Sequence, residues 1–214
     1  MVHSPLRFLP AFAVLLVTLV PPALADSPLT SVRFAEAYDT IGAVTAATTR
    51  GVLDPKLAAV LSDPRLPVAA KAAICNALGW HIDGKHNAGL FRCWLAVKYG
   101  IMPDRLDTGT LAADELFVLG YLTALDDYFH PAAALPLLTE ARRRLPDSLT
   151  VALVASLAES QLDLDENRWD AIWPRTDRIL RDPALRQDLH PAAVGAFVDY
   201  LLLYRPDAAT AATP

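Results

Sequence analysis

The chain has 214 residues, a formal net charge of −5, 53% hydrophobic and 20% charged residues, and two cysteines. This length can bury one sizeable core, and an acidic balance without a basic patch argues against nucleic acid as a partner. The absence of phosphate-loop, G-x-S-x-G, H-E-x-x-H and C-x-x-C-H patterns removes the enzyme and haem classes that those motifs mark.

Arg7 precedes an apolar run from Phe8 to Val20, and Pro21-Pro22-Ala23-Leu24-Ala25 follows it. A charged start, an apolar stretch of 13 residues and an A-x-A site predict a secretory signal peptide over residues 1–25. The run falls short of the about 20 residues that span a bilayer, and Pro10 interrupts it. No cysteine follows the cleavage site to carry a lipid, so no stable membrane anchor is expected after cleavage. Arginine far outnumbers lysine among the basic residues and alanine is abundant. This composition fits a GC-rich bacterial genome, which makes the periplasm the expected destination and secretion the second choice.

The mature chain reads as successive helices, with apolar residues recurring at three and four. Ser31 is expected to cap a helix to Arg50 with Phe34, Ala37, Tyr38, Ile41 and Val44 as its stripe and Gly51 as its stop. Asp54-Pro55 opens a short helix that ends at Ser62-Asp63-Pro64. From Val68 to Gly100 the spacing predicts a helical hairpin with a polar turn around Gly84. Its first helix places Val68, Ala72, Cys75 and Leu78 on one face. Its second places Leu90, Cys93, Ala96 and Val97 on one face, capped by Asn87 and stopped by Gly100.

A long helix is expected from Asp107–Thr110 through Leu125, and another from His130-Pro131 to Leu145. Ser148 to Leu162 and Asn167 to Arg181 form a further pair, and Pro191 opens a last helix to Tyr204. The tail from 205 to 214 is Ala/Thr/Pro-rich and expected to be flexible. Asp63-Pro64-Arg65-Leu66, Pro103-Asp104-Arg105-Leu106, Pro146-Asp147-Ser148-Leu149 and Asp182-Pro183-Ala184-Leu185 are variants of one helix-ending turn, their prolines 39, 43 and 37 residues apart. A period near 40 with two helices per unit predicts an α-solenoid in which neighbouring repeats bury one another's apolar faces.

The stretch from Leu119 to Leu162 resembles tetratricopeptide repeats. Leu119-Gly120 is similar to that family's Leu-Gly pair, and Asp127-Tyr128 to the turn before its second helix. Ala134, Leu138, Ala141 and Pro146 match its small, large, small and proline positions; Ala171 and Pro183 repeat the first-to-last spacing. Additional residues around His130 and the arginines at 175 and 178 depart from the pattern. The resemblance implies an all-α fold, a right-handed α-solenoid of antiparallel helix pairs in one domain over 26–204. It also implies protein or peptide binding on a concave face, and it carries over no binding residue.

Cys75 and Cys93 each lie nine residues from Gly84. In an exported chain, equal height on antiparallel helices predicts a disulfide that clamps the hairpin. A zinc or copper site from Cys75, His81, His86 and Cys93 competes with it, although C-x5-H-x4-H-x6-C matches no common zinc spacing. His81, Asp83, Lys85 and His86 form a candidate exposed interaction turn, and Trp80 and Trp94 flank it. Asp83 with a histidine could make an acid–base pair, yet no nucleophile or oxyanion donor accompanies it. The acidic run from Asp163 to Asp170 lacks the glycine and the twelfth-position acid of a calcium loop. Trp169 and Trp173 read as a packing seam, and Arg142–Arg144 as charge that complements a helix C-terminus.

The expected function is therefore non-enzymatic binding of a protein or peptide in the periplasm, with no cofactor. The alternatives are an inhibitor or immunity-type protein for an exported enzyme, and a metal-binding protein using the cysteine and histidine set.

Overall fold

The computed structural model describes residues 27–79 and 86–206. The expected signal peptide, residues 80–85 around Gly84 and residues 207–214 lie outside them. Every regular element among the described residues is helical, and the one β contact is an isolated bridge between Ser148 and Arg186.

The helix expected from Ser31 to Arg50 is broken twice. Helix α1 (Pro28–Ser31) is one turn, started by Ser27, whose Oγ accepts from the Leu29 N–H at 3.3 Å. A 3-10 segment, Phe34–Tyr38, and α2 (Gly42–Arg50) follow. The break has a physical cause in α4 (Val68–Leu78). Asn76 Oδ1 accepts from the Ala35 N–H at 2.9 Å, and Nδ2 donates to the Val32 carbonyl at 3.0 Å. One amide side chain thus satisfies backbone groups that a continuous helix would pair along the chain. Phe34 is freed to enter the core, its ring 5.1 Å from Phe197 and 6.4 Å from Tyr121.

Other starts follow the sequence closely. Asp54 Oδ1 accepts from the Leu57 N–H at 2.8 Å and opens α3 (Pro55–Leu61). Ser148 caps α8 (Leu149–Asp165), and Pro191 opens α10 (Pro191–Leu201). Between them lie α5 (Asn87–Tyr99), α6 (Ala113–Asp126), α7 (Leu135–Arg144) and α9 (Ile172–Leu180). Helix α6 begins later than Asp107, because Asp107 Oδ1 accepts from the Gly109 N–H and holds Thr108–Thr110 as a separate 3-10 turn.

The four proline turns each lie just beyond a helix, after α3, α5, α7 and α9, and two helices fall between successive turns. Helices α6 and α7, α7 and α8, and α8 and α9 pack in sequence. At Gly120 the first pair approaches so closely that an added Cβ would lie 3.1 Å from Leu137 Cβ. Contacts beyond this order also occur. Helix α4 packs on α2, α6 and α8, while α1 and the Phe34–Tyr38 segment reach α8 and α10. The two ends of the described chain therefore share one core, which a stack limited to nearest neighbours would keep apart.

Candidate functional site

The orientation of α5 decides which surface the molecule presents. Two apolar stripes run along this helix, and only one can face inward. Counting apolar residues favours Leu90, Cys93, Ala96 and Val97, but of these only Ala96 is buried, beside the fully buried Phe91 and Leu95. Polar anchors set the rotation. Buried Asn87 accepts from the Leu53 N–H at 2.8 Å through Oδ1, and its own N–H and that of Ala88 donate to the Asp126 carboxylate. Asn87 is therefore not the side-chain cap; Asp126 supplies the acceptors from α6. Trp94 Nε1 donates to Ser62 Oγ at 3.0 Å, and Lys98 Nζ donates to the Ser62 carbonyl at 3.1 Å and Glu115 Oε1 at 2.6 Å. Tyr99 donates to the other Glu115 oxygen at 2.6 Å. Hydrogen bonding to this buried carboxylate, followed by desolvation, pushes the Tyr99 hydroxyl up to about 12.

These anchors, at 87, 94 and 98, share the side of Phe91 and Leu95 and commit α5 to it. Cys93 is two residues from both Phe91 and Leu95, and two steps of 100° turn it to the opposite side. The expected Cys75–Cys93 disulfide is consequently not formed: both thiols are free, Cys75 buried and Cys93 exposed. Symmetry about Gly84 also presumes a packed hairpin, and α4 and α5 do not pack against each other as one. Helix α4 also packs on α2, the Phe34–Tyr38 segment, α6 and α8, whereas α5 lies on α6 and α3. Cys75 has no exposure at all, and burial pushes its thiol well above the usual range.

The same facing removes the four-ligand metal set, since the two cysteines point to different surroundings. Among the described residues no three His, Cys, Asp or Glu side chains gather as metal ligands. His81, Asp83 and Lys85 of the expected interaction turn, with Trp80, lie outside the described residues. His86 is exposed and borders an open pocket of about 530 Å³ with Thr123, Asp127 and Phe129. The neighbouring Asp126 carboxylate is engaged at the start of α5, and Asp127 meets His130 Nδ1 at 3.1 Å.

Turned outward, Leu90, Cys93 and Val97 become surface. Leu90 is 44% exposed, Val97 77% and Met102 64%; Ile101 and Tyr99 continue the exposed series. Beside it, Leu53, Pro55 and Ala58 form one wall of a groove of about 360 Å³, and Leu90, Cys93, Trp94 and Val97 form the other. Its one charged lining residue, Asp54, is already used, capping α3 and pairing with Arg50. The arrangement offers desolvation of apolar surface and no nucleophile–base pair. Of the expected core face Leu90, Cys93, Ala96 and Val97, Ala96 is buried as expected, whereas Leu90, Cys93 and Val97 are exposed. The missed signal was bulk and polarity together: Phe91 and Trp94 are two of the three aromatic side chains of the helix, and Asn87 and Lys98 lie in phase with them.

Comparison with protein-family models, with curated proteins and with solved structures found no match for this chain.

Proposed function

We propose that this chain is an exported, non-enzymatic helical protein that binds a protein or peptide through the outward face of α5 and the groove between α3 and α5. The observation that carries this reading is the uncharged face Leu90, Cys93 and Val97 of α5, which walls an apolar groove, with Ile101 and Met102 exposed just beyond the helix. Isolated exposed apolar residues are ordinary, but a contiguous patch rimmed by polar groups is the usual mark of a recognition surface. An apolar segment seated there would remove Leu90 and Val97 from water at roughly 25 cal/mol per Å². The repeat-like turns, the sequential packing from α6 to α9 and the close α6–α7 pairing at Gly120 support helix pairs of tetratricopeptide type in that part of the chain. The N-terminal sequence pattern supports export to the periplasm.

The test is a photo-crosslinking residue at position 97, with the same residue at exposed Arg178 on α9 as control, in cells expressing the full chain. A distinct cross-linked protein or peptide is expected in the periplasmic fraction at 97 and not at 178. Equal or absent cross-linking at both positions would refute the assigned face. Sequencing of the purified chain's N-terminus should begin at Asp26.

A further inference from the structure

We infer that the partner for the α5 face is a second copy of this chain, packed antiparallel across α5 about a two-fold axis and locked by a Cys93–Cys93 disulfide. This rests on the reading of that face as a binding surface, and it names the occupant.

The stripe carries no charge, so a charged partner gains nothing there and loses its hydration. It is matched by an equally uncharged apolar surface, and another copy presents one. Val52, Phe129, Trp169 and Leu203 are also exposed, and the Trp169 ring lies 6.0 Å from that of Tyr204, but none of these lies on a helix that carries a cysteine.

Shape along the helix is also self-complementary. Gly89 and Val97 each lie four residues, about one turn, from Cys93. A two-fold axis through Cys93 therefore sets Val97, the most exposed apolar side chain of the helix, over Gly89 of the second copy. The space above Gly89 is open: an added Cβ would meet nothing closer than His86 Cβ at 3.8 Å. Knob over notch lets the two backbones approach as a disulfide requires, with Cα atoms about 4.4–6.8 Å apart.

Area explains why the lock is needed. A lasting non-covalent dimer buries about 800 Å² per partner, contributed by roughly 20–30 residues. The stripe and the groove wall provide only about half that number of residues, so unassisted pairing would be weak and transient. A central covalent bond makes the remaining contacts intramolecular, at millimolar effective concentration. Buried Cys75 cannot compete for the bond.

The oxidant is a disulfide, either of a thiol–disulfide oxidoreductase or of oxidised glutathione. The Cys93 thiolate of one copy attacks one sulfur of the oxidant, forming a mixed disulfide and expelling one thiolate. The Cys93 thiolate of the second copy then attacks the first copy's Cys93 sulfur, forming the inter-copy bond and expelling the second thiolate. Two protons lost by the cysteines pass to the two expelled thiolates. The oxidant gains the two electrons that the cysteines give up.

The full chain treated with oxidised glutathione should run at twice its mass in light scattering and on non-reducing gels, and return to monomer with reductant. Peptide mapping should find Cys93 joined to Cys93. Cys75→Ala should dimerise as the parent does, and Cys93→Ser should not. Val97→Asp, which sets two carboxylates into the contact, should slow dimer formation about tenfold while the reaction of Cys93 with a small aromatic disulfide stays unchanged. A parent chain that remains monomeric although Cys93 reacts with the small reagent overturns the inference, as does Val97→Asp dimerising at the parent rate. Cross-linking at position 97 in a Cys93→Ser chain tests the binding face separately. Retained cross-links to another protein without a dimer would sink self-pairing alone.

Discussion

Lys71 is the one lysine or arginine buried among the described residues. It has no exposure, sits in a helix whose residues 69–75 are all buried, and forms an ion pair with Asp114 at the start of α6. A buried ammonium is tolerable only while a counter-charge faces it, so the two ends of the pair are not equivalent. Asp114 keeps 23% side-chain exposure and can rehydrate if left alone; Lys71 cannot. Asp114→Asn is therefore expected to cost about 3–5 kcal/mol, because it strands the charge. Lys71→Met keeps much of the volume and removes the charge, and should cost about 1–2 kcal/mol or less. Urea unfolding of both variants checks the order. A larger loss for Lys71→Met would mean that the pair acts as ordinary packing rather than as compensation for a buried charge.

At the level of elements, two glycines inside helices make opposite forecasts. At Gly120 an added Cβ would stand 3.1 Å from both Leu137 Cβ and Leu138 side-chain atoms. The leucine tip can rotate, but the Leu137 Cβ moves only with the α7 backbone, so Gly120→Ala should destabilise by about 1–3 kcal/mol despite better helix propensity. At Gly195 in α10 nothing lies within 4 Å, and Gly195→Ala should stabilise by about 0.5–1 kcal/mol. Thermal midpoints moving in opposite directions would confirm that the α6–α7 contact, not glycine itself, sets the sign.

Elements were legible in the sequence wherever one residue and its chain neighbours decide the outcome. Asp54-Pro55, Ser148 and Pro191 mark real starts, and Gly51 and Gly100, with φ of 64° and 68°, mark real stops. What the sequence hid was decided by partners distant in the chain. Asn76 splits the expected Ser31–Arg50 helix from more than forty residues away. Ser62, Asp126 and Glu115 fix the rotation of α5, and with it the exposure of Cys93 and Val97. Cysteine spacing could report neither which helices pack together nor the direction in which each thiol points: α4 and α5 take different neighbours.

For the whole molecule, the question is whether the helix pairs behave as repeats or as one body. Repeats coupled only to neighbours fray from their ends, and damage to the last helix would leave the first ones intact. Here Phe34, near the beginning of the described chain, has its ring against Phe197 in α10 and Tyr121 in α6, and Tyr38 OH accepts from the His190 N–H at 2.8 Å. The ends thus share a core residue as well as a hydrogen bond. Phe197 is fully buried, and Phe197→Ala should cost about 3–5 kcal/mol. If closure makes the fold a single cooperative unit, that loss is global. Hydrogen exchange should then speed up in α4 and α8 as much as in α10, and tryptophan fluorescence and circular dichroism should report one unfolding midpoint. Faster exchange confined to α10, with α4 unchanged, would instead assign this chain the independent end-fraying of a repeat stack.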